Sequence, residues 1–376
     1  MHAGAMPAGP SLTDRALAIR DRLLASPKFQ RWAVANPFTR PIARRRARAL
    51  FDLCAGFVYS QVLLACVRLG VFEHLRDGPL PAATLAARLS LTPDATTRLL
   101  AAAASLGLAA RRGPDRYGLG PLGAALLGNP GITAMVEHHA LVYADLGDPV
   151  ALLRGERTTG LSAYWPYATG EAAPGAAEIA PYTALMSASQ PLVAAEVLDA
   201  YDLRRHRCLL DVGGGDGTFL TTAAARAPNL RLMLFDLPAV AERAAARFAA
   251  AGLSARATAT GGSFLTDPLP TGADVISLIR VVHDHDDNAV STLLRAARAA
   301  LPPDGTLLLA EPMSGTAGAE PIGDAYFGFY LLAMGSGRPR SAQELENLLR
   351  AAGFSTLRRV RTRTPMLTRL LVARPA

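Results

Sequence analysis

Lysine is nearly absent: of 39 cationic residues in this 376-residue chain only Lys28 is a lysine, and the formal charge of +8 is carried by arginine. With so much alanine and glycine this reads as a GC-rich coding bias. A high isoelectric point permits contact with nucleic acid or an anionic membrane without establishing either. Cysteine is scarce as well. Cys54, Cys66 and Cys208 have no CxxC spacing and sit in apolar runs, which argues against a disulfide framework or a zinc cluster and suits a reducing, cytoplasmic setting. The N-terminus, MHAGAMPAGPSLTDR, lacks the basic and apolar regions of a secretory signal. The most apolar stretch, Phe51 to Gly70, is interrupted by Asp52, Gln61 and Arg68. That falls short of the roughly 18 uninterrupted apolar residues of a membrane span, so a buried helix is expected there. No internal repeat is visible.

Half of the composition is hydrophobic, enough to bury a sizeable core over two or three domains. Residues 12–35 carry Leu17, Ile19, Leu23 and Leu24 at helical spacing, followed by a link from Asn36-Pro37 to Arg40-Pro41. Residues 1–42 are therefore read as an N-terminal arm. The Arg-rich Ala43–Arg48 leads into the long apolar helix. Residues 80–121 then read as helix, turn, helix and a basic hairpin, the spacing of a winged helix. This unit is bounded at 43–130. Residues 131–205 are helical and expected to shape a pocket, with punctuation at Asn129-Pro130-Gly131 and around Trp165-Pro166.

From Arg207 the texture changes. The apolar runs CLLDV, LRLMLFDL, ADVISLI and GTLLLAEPM alternate with helical segments at 218–227, 238–251, 288–301 and 341–352. Strands alternating with helices imply an α/β fold whose parallel sheet is covered on both faces. Leu357–Arg363 and Leu367–Ala373 have no helix between them and suggest an antiparallel hairpin at the sheet edge. Residues 206–376 are read as one cofactor-binding domain.

The first strand ends in Asp211-Val212-Gly213-Gly214-Gly215-Asp216-Gly217. Glycines let the backbone approach a ligand at the carboxyl end of a strand, where open α/β sheets bind their cofactors. A dinucleotide fingerprint would need a glycine where Thr218 stands. An acidic strand end with G-x-G-x-G instead suits a ligand that has an ammonium and no pyrophosphate, which points to S-adenosyl-L-methionine. The second strand ends in Asp236-Leu237-Pro238, where an acid can accept both ribose hydroxyls or cap the next helix. The strand ADVISLI runs into Arg280-Val281-Val282-His283-Asp284-His285-Asp286-Asp287. Carboxylates beside an imidazole favour its protonated form and fix its tautomer, as a base acting on an alcohol requires, so His283 or His285 could serve. Adjacent residues on a strand point alternately, so few members of this cluster can converge on one ion, and no metal is expected.

Taken together, LLDVGGGDG, LFDLP, GSFLTDPLP, RVVHDHDD, LLLAEPM and SAQELENLLRAAGF resemble the O-methyltransferase family typified by plant caffeic-acid and bacterial polyketide enzymes, over about residues 50–376. The resemblance implies a Rossmann-like class I methyltransferase domain with an N-terminal winged-helix dimerisation domain. It implies a catalytic base at His283, with Glu311 orienting the histidine and Asp284 beside it. It assigns the cofactor to Asp211, Gly213, Gly215, Asp236, Leu237, Gly262, Ser263, Phe264 and Arg280. The family's adenine-contacting aspartate appears as Gly262, its second histidine-flanking glutamate falls near Pro339, and its usual tryptophan is His285. The N-terminal stretch PKFQRWAVANPFTRPIARRRARALFDLCAGFVYSQVLLACVRLGVFEHL is similar to the carotenoid O-methyltransferases of purple photosynthetic bacteria. That similarity implies a tertiary hydroxyl on a long polyene (the hydroxyneurosporene and demethylspheroidene type) as acceptor, a homodimer, and a cytoplasmic enzyme peripheral to the inner photosynthetic membrane; the alternatives are a phenolic polyketide-type oxygen or a ring carbon of a bacteriochlorophyll precursor as acceptor and, more remotely, a winged-helix DNA-binding regulator. A membrane-dissolved acceptor would give Arg44, Arg45, Arg46 and Arg48 the task of holding the enzyme against anionic lipid, against the plainer and favoured reading of a solvated helix face, and no nucleic acid is expected as a partner. Met186, Tyr326, Phe327, Phe329, Tyr330, Leu331 and Met334 are the candidates for an apolar acceptor channel. Core packing is the competing role for each.

Overall fold

The computed structural model describes residues 11–164 and 176–376, so the expected punctuation around Trp165-Pro166 lies outside the described residues. The chain divides into two compact units, Met1–Gly123 and Ala124–Ala376.

The first unit opens with α1 (Leu12–Ala25) and α2 (Pro27–Ala35), two helices where one continuous pattern was read. Pro27 cannot supply an intrahelical N–H, and Ser26 instead caps the second helix. Next come α3 (Arg40–Arg68), α4 (Val71–His74), β1 (Leu80–Pro81), α5 (Ala82–Leu89), α6 (Pro93–Ser105), β2 (Ala109–Arg111), β3 (Arg116–Leu119) and α7 (Pro121–Leu127). The strands pair antiparallel in the order β1-β3-β2 beside α5 and α6, as expected of a winged helix. The boundary expected after residue 42 falls inside α3, because Pro41 stands in the helix's first turn, where no N–H is needed.

The expectation that Phe51 to Gly70 is buried is overturned. Phe51, Leu53 and Phe57 are 64%, 82% and 66% exposed, and only Leu64 and Cys66 of α3 are buried. Its most apolar 18-residue window has a mean hydropathy of 1.8, so by length and composition the helix could also span a membrane despite its interruptions.

The second unit continues with α8 (Pro130–Asp145), α9 (Pro149–Leu153), α10 (Gly160–Tyr164) and α11 (Ala176–Ala200). It then alternates β4 (Cys208–Val212), α12 (Thr218–Arg226), β5 (Arg231–Asp236), α13 (Pro238–Ala250), β6 (Ala257–Gly261), β7 (Val275–Ile279), α14 (Asp287–Ala300) and β8 (Thr306–Glu311). A π-helical turn at Pro321–Tyr326 runs into α15 (Phe327–Met334), and α16 (Ala342–Ala351), β9 (Phe354–Val360) and β10 (Arg369–Pro375) complete it. The seven-stranded sheet has the order β6-β5-β4-β7-β8-β10-β9, with the first five parallel and β10 antiparallel to both neighbours. Every residue of β4, β7 and β8 is buried, and apolar clusters cover both faces, which is why these strands read as unbroken apolar runs. The order reverses between β4 and β7. The carboxyl ends on either side of that switch leave a crevice no connection crosses.

Candidate active site

A cleft of about 990 Å³ opens at that switch point. It is lined by the β4 turn Gly213–Asp216, by Asp236 and Leu237 from β5, by the loop Gly262–Leu265 after β6, by Arg280 and Val281 after β7, and by Met186, Ser187 and Gln190 of α11. The turn depends on Gly213, which has φ +68° and whose added Cβ would lie 2.8 Å from Val281 Cγ2. Both facts require glycine. Gly262 has a different reason: a Cβ there would lie 2.7 Å from the Phe235 ring. The Phe235 ring thus occupies the space that a side chain at Gly262 would need.

Asp236 is held by two backbone donors, Gly215 N–H to Oδ2 at 2.8 Å and Leu237 N–H to Oδ1 at 2.7 Å. Each oxygen keeps a further lone pair. Burial pushes its carboxyl up to about 6 against the lowering effect of those donors. Asp211 is found elsewhere than expected. It does not line the cleft but lies under the glycine turn, 1% exposed, with Oδ1 accepting the Ser277 hydroxyl at 2.5 Å. Burial, opposed by Ser277 and reinforced by Asp236, raises it to about 7. The Asp211 side chain leaves β4 beneath the turn, so it can act on a ligand only through the loop and by its charge. Asp211 Oδ2 and Gln190 Oε1 have no hydrogen-bond partner among the described residues. Gln190 Oε1 lines the cleft and fits a ligand that brings a donor, whereas Asp211 Oδ2 is closed off beneath Gly214.

Arg280 takes φ +58°, a conformation rare outside glycine. Its guanidinium reaches Ser189 Oγ at 2.8 Å and the Met186 carbonyl at 3.2 Å, tying α11 to the end of β7. Met186 therefore stands in the lining of the cleft. Phe264 meets the His285 ring edge-on at 5.0 Å.

His283 sits in a 3-10 turn, Val282–Asp284, directly after β7. Its Nδ1 bonds Glu311 Oε2 and its Nε2 lies 3.1 Å from Asp284 Oδ1. Glu311, 2% exposed at the end of β8, is itself aimed by the Val281 and Val282 N–H groups at 2.9 and 2.7 Å. Burial opposes charging His283, but the two carboxylates prevail and raise it to about 10. His285 behaves oppositely: burial leads and lowers it, leaving it uncharged at neutral pH.

Next to His283 lies Phe327, ring to ring at 5.8 Å, in an aromatic group with Tyr326 and Tyr330. The Tyr326 and Tyr330 hydroxyls bond His139 and His138 of α8 at 2.8 and 2.9 Å. Burial, with His139 adding to it, lowers His138 to about 4. Met334 is only 1% exposed and packs with Leu331 against Val142, Leu152 and Leu161, so Met334 serves the core and not a channel wall. Tyr330 is buried in the same cluster, with half-buried Phe329 beside it. The end of α15 that carries Phe327 lies next to His283.

Three site residues carry no signal in the sequence, Ser187 and Gln190 in the cleft lining and Arg340 beneath the histidine turn. Arg340, 2% exposed, donates to the Val282 and His285 carbonyls at 2.8 Å each and pairs with Asp287 at 2.7 Å. Gly337 and Arg338 press on the same turn, the Arg338 N–H bonding the His283 carbonyl at 3.0 Å. Arg340→Met leaves the half-buried His285 carbonyl without its donor and the Val282 carbonyl with only the His285 N–H at 3.5 Å, a loss of about 1–3 kcal/mol for the unpaired group. The expected result is a lower melting temperature and a lower kcat with an unchanged cofactor Kd; a kcat equal to wild type would remove Arg340 as a positioning residue.

A family model described as the O-methyltransferase domain matches residues 143–355, and one described as the O-methyltransferase dimerisation domain matches residues 51–129. The chain belongs to the O-methyltransferase family. Among its relatives, demethylspheroidene O-methyltransferase of Cereibacter sphaeroides is 47% identical over 338 residues, 90% of this chain and 89% of that protein. Acetylserotonin O-methyltransferase of Mus musculus is 34% identical, covering 85% of this chain and 87% of that one. Among solved structures, the calicheamicin-biosynthesis methyltransferase CalO1 in its SAH-bound form superposes with a TM-score of 0.73 at 29% identity, covering 88% of this chain and 98% of that one. Human N-acetylserotonin methyltransferase in complex with SAM gives 0.71 at 25% identity, covering 88% and 98%. The second unit is therefore a Rossmann-like class I methyltransferase domain, and the winged helix with the apolar half of α3 is the family's dimerisation domain.

Proposed function

We propose that the enzyme transfers a methyl group from S-adenosyl-L-methionine to the tertiary hydroxyl of an acyclic hydroxycarotenoid of the hydroxyneurosporene or demethylspheroidene type. The observation that carries the acceptor is the 47% identity, spread over nine-tenths of both chains, to an enzyme named for demethylspheroidene; the Rhodobacter capsulatus enzyme of that name is 44% identical. The enzyme acts as a homodimer, which covers the apolar face of α3, and it works from the cytoplasmic side at the periphery of the membrane in which a polyene dissolves.

S-adenosyl-L-methionine supplies a methyl group already activated on a sulfonium. The protein's main task is orientation, which can contribute roughly 7–11 kcal/mol. Asp236 accepts the ribose hydroxyls on the lone pairs its backbone donors leave free. Gly213 and Gly215 let the main chain approach, and Leu237, Ser263 and Phe264 wall the adenine side without an aspartate at Gly262. Arg280 braces α11 over the cleft. A tertiary alcohol is a weak acid, so its oxygen must lose the proton as it attacks. In the neutral form of His283, with Nδ1–H on Glu311, Nε2 takes that proton once the alcohol displaces Asp284 from it, and Glu311 and Asp284 stabilise the resulting imidazolium. Met186 and Tyr326 remain at the cleft and at the aromatic wall beside His283, where an acceptor would pass.

The deciding experiment supplies purified protein with labelled S-adenosyl-L-methionine and either detergent-dispersed hydroxyneurosporene or a simple phenol. Label on the carotenoid oxygen is expected; label only on the phenol would discard the carotenoid and keep the methyl transfer.

A further inference from the structure

The chain's net charge lies in one short segment. Residues 11–50 carry ten cationic residues and only two acidic ones, a formal +8 equal to that of the whole chain, so residues 51–376 sum to zero. Those two acids are internally engaged: Asp14 closes a capping box with Ser11, and Asp21 pairs with Arg20 at 2.7 Å. On α1, Leu12, Ala16, Ile19 and Leu23 recur at spacings of four, three and four, which stacks them on one face. None is buried; Leu12, Ile19 and Leu23 are 84%, 66% and 48% exposed. At 100° per residue, Arg15 and Arg22 border that stripe on one side and Arg20 on the other, while Asp14 and Asp21 lie on the far face. Exposed aromatic residues follow, Trp32 at 52% and Phe38 at 90%, and then the exposed cations Arg44, Arg45, Arg46 and Arg48.

We propose that residues 11–50 form a docking surface for an anionic lipid bilayer, with the α1 stripe, Trp32 and Phe38 entering the interface and the arginines held at the headgroups. An apolar stripe flanked by cations, with acids opposite, is the arrangement of a helix lying in a membrane surface, where long cationic side chains reach outward from an apolar bed. A second copy of the chain is the less suitable occupant, since two segments of +8 would repel across a symmetry axis. The family's dimerisation domain also begins only at residue 51. The proposal rests on the membrane-dissolved acceptor only for its purpose, because the lipid contact itself needs no carotenoid.

The test floats the full-length protein with carotenoid-free vesicles of phosphatidylcholine alone or of phosphatidylcholine mixed with phosphatidylglycerol. Binding to the anionic vesicles only, weakened by salt, is expected. Arg15→Gln with Arg22→Gln should reduce partitioning by about tenfold or more, from roughly fivefold per cation. Ile19→Asp with Leu23→Asp should abolish it without changing the mass seen by light scattering or the turnover of detergent-dispersed substrate. Equal binding to both vesicle types, or no binding to either, would overturn the proposal. So would dissociation of a dimer by the Ile19 and Leu23 changes, which would assign the stripe to a second copy. Carotenoid methylation without vesicle binding would reject the docking surface alone, and vesicle binding without carotenoid methylation would reject the acceptor alone.

Discussion

Replacing His283 by alanine is expected to lower turnover by about 10²–10⁴-fold, the usual contribution of a positioned base, while leaving the affinity for S-adenosyl-L-methionine unchanged. The separation follows from position: His283 does not line the cleft that receives the cofactor, although its neighbours Asp284 and His285 do. Turnover equal to that of wild type would remove His283 as the base. The pH profile tests the same assignment independently. Asp284 and Glu311 raise His283 to about 10, so at neutral pH the free enzyme holds a proton on the imidazole. Only the neutral fraction can accept another, and kcat/KM should therefore climb as pH rises toward that ionisation. Glu311→Gln removes one of the two carboxylates, which lowers the His283 ionisation and moves the climbing limb to lower pH. It also weakens the stabilisation of the imidazolium formed in the reaction, so the plateau falls. For stability the sign is set by the raised folded value: the ion pairs contribute fully below the unfolded histidine pKa, and their contribution is lost as pH rises through about 10. A Glu311→Gln limb that stayed in place would mean that another group, with His285 the nearest imidazole, sets the profile.

The methyltransferase sheet was legible because its central strands are buried on both faces and so carry uninterrupted apolar runs; β7 is VISLI and β8 is TLLLAE. The third strand, β6, was not among those runs. Its sequence is ATATG, and as an edge strand with one pairing neighbour it is largely exposed, so neither an apolar run nor a clean alternation marks it. Asp236 and His283 were legible for a topological reason, since the carboxyl edge of a doubly wound sheet is where ligands bind, whatever the side chains between, whereas Glu311 was legible only through the family resemblance. Ser187, Gln190 and Arg340 were not. They reach the site from α11 and from the loop before α16, and no local pattern links a lone serine or glutamine to the glycine turn further along the chain or Arg340 to the Val282 and His285 carbonyls more than 50 residues before it. Asp211 shows the converse limit: the motif identifies the residue but not whether its carboxylate enters the cleft or supports the turn from beneath. The α3 error has the same physical root as its later explanation, since an apolar helix looks alike whether its neighbour is the same chain or another copy.

Asp236→Ala is expected to weaken S-adenosyl-L-methionine binding by about 10²-fold, from the loss of two hydrogen bonds to a charged acceptor at roughly 1.5 kcal/mol each, while kcat at saturating cofactor changes little. Asp236→Asn separates two roles that coincide on this carboxylate. An amide can offer one oxygen to Gly215 N–H or Leu237 N–H, but its NH₂ must then face the other donor, so the turn loosens even though the size of the side chain is kept. If Asp236 only caps its neighbours, both variants should lose thermal stability and keep the wild-type cofactor Kd, measured by calorimetry. The pH dependence distinguishes them further. Burial raises Asp236 to about 6 and Asp211 to about 7, so both carry a proton in an increasing fraction of the free enzyme as the solution is acidified. A protonated carboxyl is a poorer acceptor for ribose hydroxyls and offers no charge to an ammonium. Cofactor affinity should therefore fall as pH drops through 7 toward 6, with protons released on binding. In Asp236→Ala the part of this dependence centred near 6 should vanish, leaving only the Asp211 contribution. The same raised values mean that these two acids destabilise the empty protein as pH climbs through 6 and 7, the reverse of His283 in direction of cause, since here it is the charged form that the fold disfavours. Bound cofactor should offset that loss, so its stabilising effect on the melting temperature should grow between pH 6 and pH 8 in the wild type and grow less in Asp236→Ala.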